Sequence, residues 1–180
     1  MMPLDIVALD AQRVPALRRF LDALPDGDVT FIKEDVRDPG VAEAWARGPG
    51  GLRTWVAVDG PDTVAGIVSV RPLVGWSSHV GELRLVVDPA RRGRGVGRAL
   101  ARHALRAALA AGLEKVVVEV VAEQEGAVRM FSDLGFRGEA LLRDHIRDRS
   151  GALRDLLVLA HDAREEWSSL ASVGVDDELA

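Results

Sequence analysis

The segment from Val80 to Ala122, "VGELRLVVDPARRGRGVGRALARHALRAALAAGLEKVVVEVVA", leaves a folding chain few choices. Val80 to Asp88 alternates apolar and polar residues at the period of a strand, and Pro89 ends it. From about Val96 to Ala111 the chain is rich in alanine, leucine and arginine, a helix closed by Gly112. Lys115 to Ala122 is almost all valine and reads as a buried strand. Between the first strand and the helix lies "RRGRGVG", four arginines and three glycines within the ten residues Arg91 to Leu100. A sheet with a helix packed on it therefore has to form around a junction that combines positive charge with backbone freedom.

The rest of the chain extends that sheet. "DIVAL" (Asp5 to Leu9) reads as a short strand. Val14, Leu17, Leu21 and Leu24 then recur at helical spacing, with Pro15 tolerable in the first turn and "PDGD" (Pro25 to Asp28) as a stop. "PGVAEAWARG" predicts a second helix, and "GPGG" (Gly48 to Gly51) a break. "RTWVAVD" and "DTVAGIVSVRPL" predict a hairpin around Gly60 to Asp62. "EGAVRMFSDLGF" predicts a short helix ending in Gly135, and "EALLRDHIRD" with "ALRDLLVLAHD" a final hairpin around "RSG". The expected order is β-α-α-β-β-β-α-β-α-β-β, a mixed α/β sheet with helices on both faces. One domain is expected over residues 1–163, with 164–180 as a tail holding a short helix ("REEWSSLASV") and a frayed acidic end.

Composition narrows the function classes. Of 180 residues 48% are hydrophobic, and no apolar run approaches the roughly 20 residues that span a bilayer, so no membrane partner is expected. The N-terminus lacks a basic region followed by an apolar one, so no secretory signal is expected and a cytoplasmic setting fits. Without cysteine there is no disulfide, thiolate metal site or cysteine nucleophile. His79, His103, His145 and His161 show no metal-ligand spacing, and no metal is expected. A net charge of −5 argues against nucleic acid as a partner. Positive charge is nearly all arginine, Lys33 and Lys115 being the only lysines, and guanidinium forks suit phosphate and carboxylate.

At the junction, glycines let a ligand approach the main chain, and the first N–H groups of a helix attract anions. Arginines at the rim add charge-assisted hydrogen bonds. A Walker loop needs a Gly-Lys pair, which the chain lacks, and Gly93, Gly95 and Gly97 have the wrong spacing for a dinucleotide fingerprint. A third pattern, [RQ]-x-x-G-x-[GA], is met by Arg92, Gly95 and Gly97 directly after "VVDPA". This resembles the acyl-CoA pyrophosphate loop of the GNAT superfamily of N-acyltransferases. The resemblance continues in "EQEGAVRMFSDLGF", which keeps Ala127, Gly135 and Phe136 of the superfamily's pattern. Gln124 stands at its usual Asn and Phe131 at its usual Tyr. It covers Val80 to about His161; the N-terminal half matches only in its order of elements.

The resemblance implies the GNAT fold, a mostly antiparallel twisted sheet with one splayed parallel pair. It also implies acetyl-CoA as co-substrate and a primary amine (protein lysine, N-terminus or small molecule) as acceptor, attacking directly in a ternary complex. Main-chain groups of Leu85, Val86 and Val87 would pair with the pantetheine arm, with an N–H near Val87 polarising the thioester carbonyl. Arg92, Gly93, Arg94, Gly95, Val96, Gly97 and Arg98 would surround the pyrophosphate. Gln124 would reach the pantetheine or phosphates, and Phe131 would lie beside the cofactor. Two glutamates are placed as a base: Glu82, as in several protein lysine acetyltransferases of the superfamily, and Glu119, as in the ribosomal-protein N-terminal acetyltransferases. Glu82 is taken first. Each has a purely structural alternative, for Glu119 a strand-edge or ion-paired glutamate with Arg84 as the candidate partner. Phe131 cannot protonate the leaving thiolate and the chain has no tyrosine. A thiol of pKa about 8.5 leaves tolerably without help, and Ser132, His145 or water are the substitutes. The row Arg94, Arg98, Arg102 and Arg106 reads first as a solvated face, and Trp76 as a residue near the acceptor mouth. The rival function is a non-catalytic acyl-CoA sensor of the same fold. Either would act as a monomer or a homodimer.

Overall fold

A computed structural model describes residues 4–29, 32–60 and 63–163 of the chain. The elements run β1 (Asp5–Ala8), α1 (Val14–Asp22), α2 (Asp26–Val29), α3 (Gly40–Arg47), β2 (Arg53–Val58), β3 (Val64–Pro72), β4 (Val80–Val87), α4 (Val96–Ala110), β5 (Lys115–Val121), α5 (Glu125–Ser132), β6 (Arg137–Arg147) and β7 (Leu153–Asp162). The order matches the sequence reading except at Pro25 to Asp28. There the expected stop is followed at once by a single helical turn, α2, with Asp26 and Asp28 at its positive end. The predicted tail, 164–180, lies outside the described residues.

The seven strands form one sheet in the order β1-β2-β3-β4-β5-β7-β6. Every neighbouring pair is antiparallel except β4 and β5. Alternation divides each central strand between two cores. Leu83 of β4 and Val116, Val118 and Val120 of β5 pack under α4 through Leu100, Ala101, Ala104 and Ala108, and Phe131 and Phe136 join them. On the other face Val56 and Ile67 are covered by Leu17, Phe20 and Leu21 of α1 and Ala42 of α3, with half-buried Val86 against them. Glu82, Arg84 and Val86 therefore point away from α4, and so does Glu119 of β5.

Helix α4 sits close on the sheet. A Cβ at Gly66 of β3 would lie 2.9 Å from Leu100 Cδ1 and 2.9 Å from the Val86 carbonyl oxygen. Leu100 is fully buried there. We expect Leu100→Ala to cost about 2–5 kcal/mol in urea unfolding. Gly66→Val should also destabilise, because the Val86 carbonyl is main chain and cannot step aside; a stability at or above the parent's would contradict this packing.

Candidate active site

The parallel pair is short. Val80, Gly81, Glu82 and Leu83 oppose Lys115, Val116, Val117 and Val118, and pairing ends there. Beyond that point β4 stays on β3, through Val68↔Leu85, Ile67↔Val86 and Gly66↔Val87. Meanwhile β5 stays on β7, through Glu119↔Val158 to Val121↔Leu156. The two strands part inside the sheet, as twist allows when each is held by a different neighbour.

Antiparallel alternation decides which main-chain groups face the gap. The bonds Leu73 N–H to Val80 O (2.8 Å) and Asp88 N–H to Ala65 O (3.0 Å) turn the even-numbered residues of β4 towards β3. Leu85 and Val87 consequently direct their N–H and C=O groups into the gap, while those of Val86 face Ile67. Of the three positions named from sequence, the outer two present polar groups to the parted edge and the middle one does not. The Arg92 guanidinium lies 3.4 Å from the Val87 carbonyl oxygen.

The strand leads directly into the glycine junction. The Asp88 side chain accepts from Ala90 N–H (2.9 Å) and folds Pro89–Arg91 into a turn. Gly93 and Gly95 then take φ of 71° and 82°, the left-handed region, with open space where a Cβ would stand. Gly95 is the N-cap of α4, with no side-chain cap. The ladder begins with Ala99 N–H to Gly95 O (3.0 Å), so the N–H groups of Val96, Gly97 and Arg98 lack partners within the helix. Arg91 pairs with Asp59 (2.7 Å), Arg92 with Asp28 (2.8 Å) and Arg98 with Asp133 (3.3 Å). Arg94 is exposed and has no ion pair among the described residues. Gln124 is exposed at the N-cap of α5. Phe131 is buried, its ring 5.2 Å from that of Phe136 in an edge contact.

The two glutamates meet at the fork. Lys33, on the segment between α2 and α3, sets its Nζ 2.7 Å from Glu82 Oε1 and 2.8 Å from Glu119 Oε2. Arg84 donates to Glu82 Oε2 at 3.0 Å and pairs also with Glu34. The Glu119 partner is thus Lys33 rather than the Arg84 considered from sequence. Burial pushes the Glu82 carboxyl upward, but the hydrogen bonds and charges of Arg84 and Lys33 outweigh it and hold it below its usual value. Burial lowers Lys33, and the bonds to Glu119 and Glu82 overcome that, raising it. Lys33 and Glu34 carry no periodic signal; their one visible mark is that Lys33 is one of only two lysines. Trp76, 97% exposed, lies in the turn before β4, at the end where β4 and β5 are still paired, not at the parting.

A family model described as the acetyltransferase (GNAT) family matches residues 18–136. The chain belongs to that family. An N-acetyltransferase 8F1 from Rattus norvegicus is 32% identical over 126 residues, 67% of this chain and 55% of the relative. A mycothiol acetyltransferase from Kocuria rhizophila is 35% identical over 91 residues, 49% of this chain and 30% of the relative. The chain thus spans about half or less of these two relatives' lengths. A solved GCN5-related N-acetyltransferase from Kribbella flavida superposes with a TM-score of 0.70 at 26% identity, over 88% of this chain and 97% of that one. A Salmonella typhimurium structure holding acetyl-CoA as its cofactor superposes at 0.73 with 19% identity, over 89% and 94%. The GNAT fold inferred from the junction is the fold of this chain.

The lowered Glu82 carboxyl makes a pH test possible. A depressed acid stabilises the fold above its unfolded pKa, about 4.3, and that contribution is lost as pH falls through the folded value. We expect Glu82→Gln to destabilise by about 1–3 kcal/mol at pH 7 in urea unfolding. The gap between variant and parent should narrow steadily below about pH 4.3. A gap that is independent of pH would contradict the ion-paired assignment.

Proposed function

We propose that the chain transfers an acetyl group from acetyl-CoA to a primary amine. The carrying observation is the parted β4 edge running straight into an uncapped helix N-terminus, with an ammonium clasped by two carboxylates at the fork. The cradle fits the coenzyme. Gly93 and Gly95 leave room for a diphosphate, the N–H groups of Val96, Gly97 and Arg98 await an anion, and the exposed Arg94 adds charge. Leu85 and Val87 are the positions to hold the pantetheine arm, and the Val87 N–H to polarise the carbonyl. Gln124, exposed at the start of α5, is the residue to reach for the pantetheine or phosphates.

Acetyl-CoA supplies an acyl group activated as a thioester; the chain must supply a neutral amine and a path for its proton. A free alkylammonium has a pKa of about 10, so a base is required. Glu82 keeps Arg84 as a second cationic partner, which weakens it as a base. Glu119 has Lys33 alone as an ion-pair partner among the described residues and becomes fully available once that ammonium moves. This reverses the order taken from sequence: Glu119 accepts the proton, and Glu82 holds and orients the ammonium. Phe131 gives no proton to the leaving sulfur, and Ser132 and His145, both exposed, leave that role to water. The acceptor is cationic, in keeping with this acidic pair, and nucleic acid is not a partner. We place the protein in the cytoplasm, as a monomer or a homodimer.

A coenzyme-binding sensor remains the second reading, favoured by the buried Phe131 and by Lys33 occupying both carboxylates. Calorimetry with acetyl-CoA and thiol release with a panel of amines separate the two. We expect Glu119→Gln to lower turnover by about 10²-fold while coenzyme affinity stays within about 2-fold of the parent (~0.4 kcal/mol). Gly95→Ala should weaken coenzyme binding, because the left-handed N-cap costs an L side chain about 1–2 kcal/mol. Binding without thiol release for any amine would favour the sensor.

A further inference from the structure

The segment that carries Lys33 is anchored on its C-terminal side. Val36 is buried in the core below α1, and Arg37 caps the end of that helix, donating to the carbonyls of Leu21 (2.8 Å), Asp22 (2.9 Å) and Leu24 (2.8 Å). Glu34, next to Lys33, is fixed to Arg84 of β4. The chain thus delivers a primary amine to the place where β4 and β5 separate. Glu82 precedes the last pair, Leu83↔Val118, and Glu119 follows it, so the Lys33 nitrogen stands over the fork itself. An external acceptor would have to put its own nitrogen there.

We infer that Lys33 is an acetylation site of the protein itself: a tethered acceptor that the active site modifies. This rests on the transferase reading above. In the step, Lys33 Nζ passes a proton to the Glu119 carboxylate and its lone pair forms the bond to the thioester carbonyl carbon. The carbon–sulfur bond breaks, the nitrogen gives up its second proton to water, and the sulfur leaves as coenzyme A thiol, taking up a proton from that water. Tethering replaces a bimolecular encounter with an intramolecular one, an advantage over any dilute amine. The product is neutral, so Glu82 and Glu119 lose the cation they hold and the fork opens to an external amine.

The chain supplies its own control, since its second lysine, Lys115, sits at the closed end of β5 paired with Glu139. The full-length protein is incubated with isotopically labelled acetyl-CoA and the acetyl mass is located by peptide mapping, while thiol release with external amines is followed in parallel. Lys33 should acquire the label at least about 10²-fold faster than Lys115, with a first-order constant unchanged on protein dilution. Lys33→Arg should abolish the fast phase. A readout without coenzyme is the carboxyl ¹³C resonances of Glu82 and Glu119: millimolar butylammonium should shift them in Lys33→Met and leave them unmoved in the parent. External turnover with no label on Lys33, or labelling of both lysines at one rate, overturns this proposal and leaves the transferase reading standing. Equal butylammonium shifts in parent and variant overturn the claim that Lys33 fills the amine position. Neither turnover nor coenzyme binding overturns the transferase reading and this proposal with it.

Discussion

The divergence of β4 from β5 after Leu83↔Val118 is the constraint on which the rest depends. A sheet interior ordinarily leaves no main-chain group unpaired, because an unmet N–H or C=O away from water costs free energy. Here two central strands each keep their outer neighbour and give up one another. That exposes the Leu85 and Val87 groups to a gap between two cores. The strand then turns at Asp88 and feeds the free N–H groups of α4, so one continuous run of main chain offers first a strand edge and then an anion cradle. Along this run the glycines and the Asp88 side chain make the turn, and the groups turned towards the gap are those of the backbone.

Charge is handled differently at the fork. Glu82, Glu119 and Glu34 face Lys33 and Arg84, three acids to two bases, on the face of the sheet away from α4. Burial by itself pushes the Glu82 carboxyl up, and the pairing with Arg84 and Lys33 holds it below its usual value instead. The surplus of one negative charge suits a cationic visitor. Exchange of one ammonium for another keeps the balance, whereas an uncharged occupant would leave Glu119 without its counterion beside Glu82, which keeps Arg84.

Periodicity made the scaffold readable. The alternation of β2 to β4, the alanine-rich α4 and the valines of β5 each admit one element type, and Arg92, Gly95 and Gly97 located the junction. The single turn α2 escaped because four residues beginning "DGD" carry no helical period. Lys33 and Glu34 escaped for a deeper reason: their partners lie 49, 86 and 50 positions away on β4 and β5, and an irregular segment has no repeat from which to infer a face. The idle position of Val86 was within reach, since strand parity follows once a register is known. Phe131 was placed by its motif beside the cofactor, and the fold turns it into the core against Phe136.

The central claim is that the parted edge of β4 and the first turn of α4 together grasp a coenzyme thioester. Amide hydrogen exchange, followed peptide by peptide with and without acetyl-CoA, addresses this most directly. The account predicts slowed exchange across residues 85–98, at Leu85, Val87 and the amides from Gly93 to Arg98, with β1 and β2 unaffected. Exchange that stays unchanged over residues 85–98 while saturating coenzyme is bound elsewhere would contradict it.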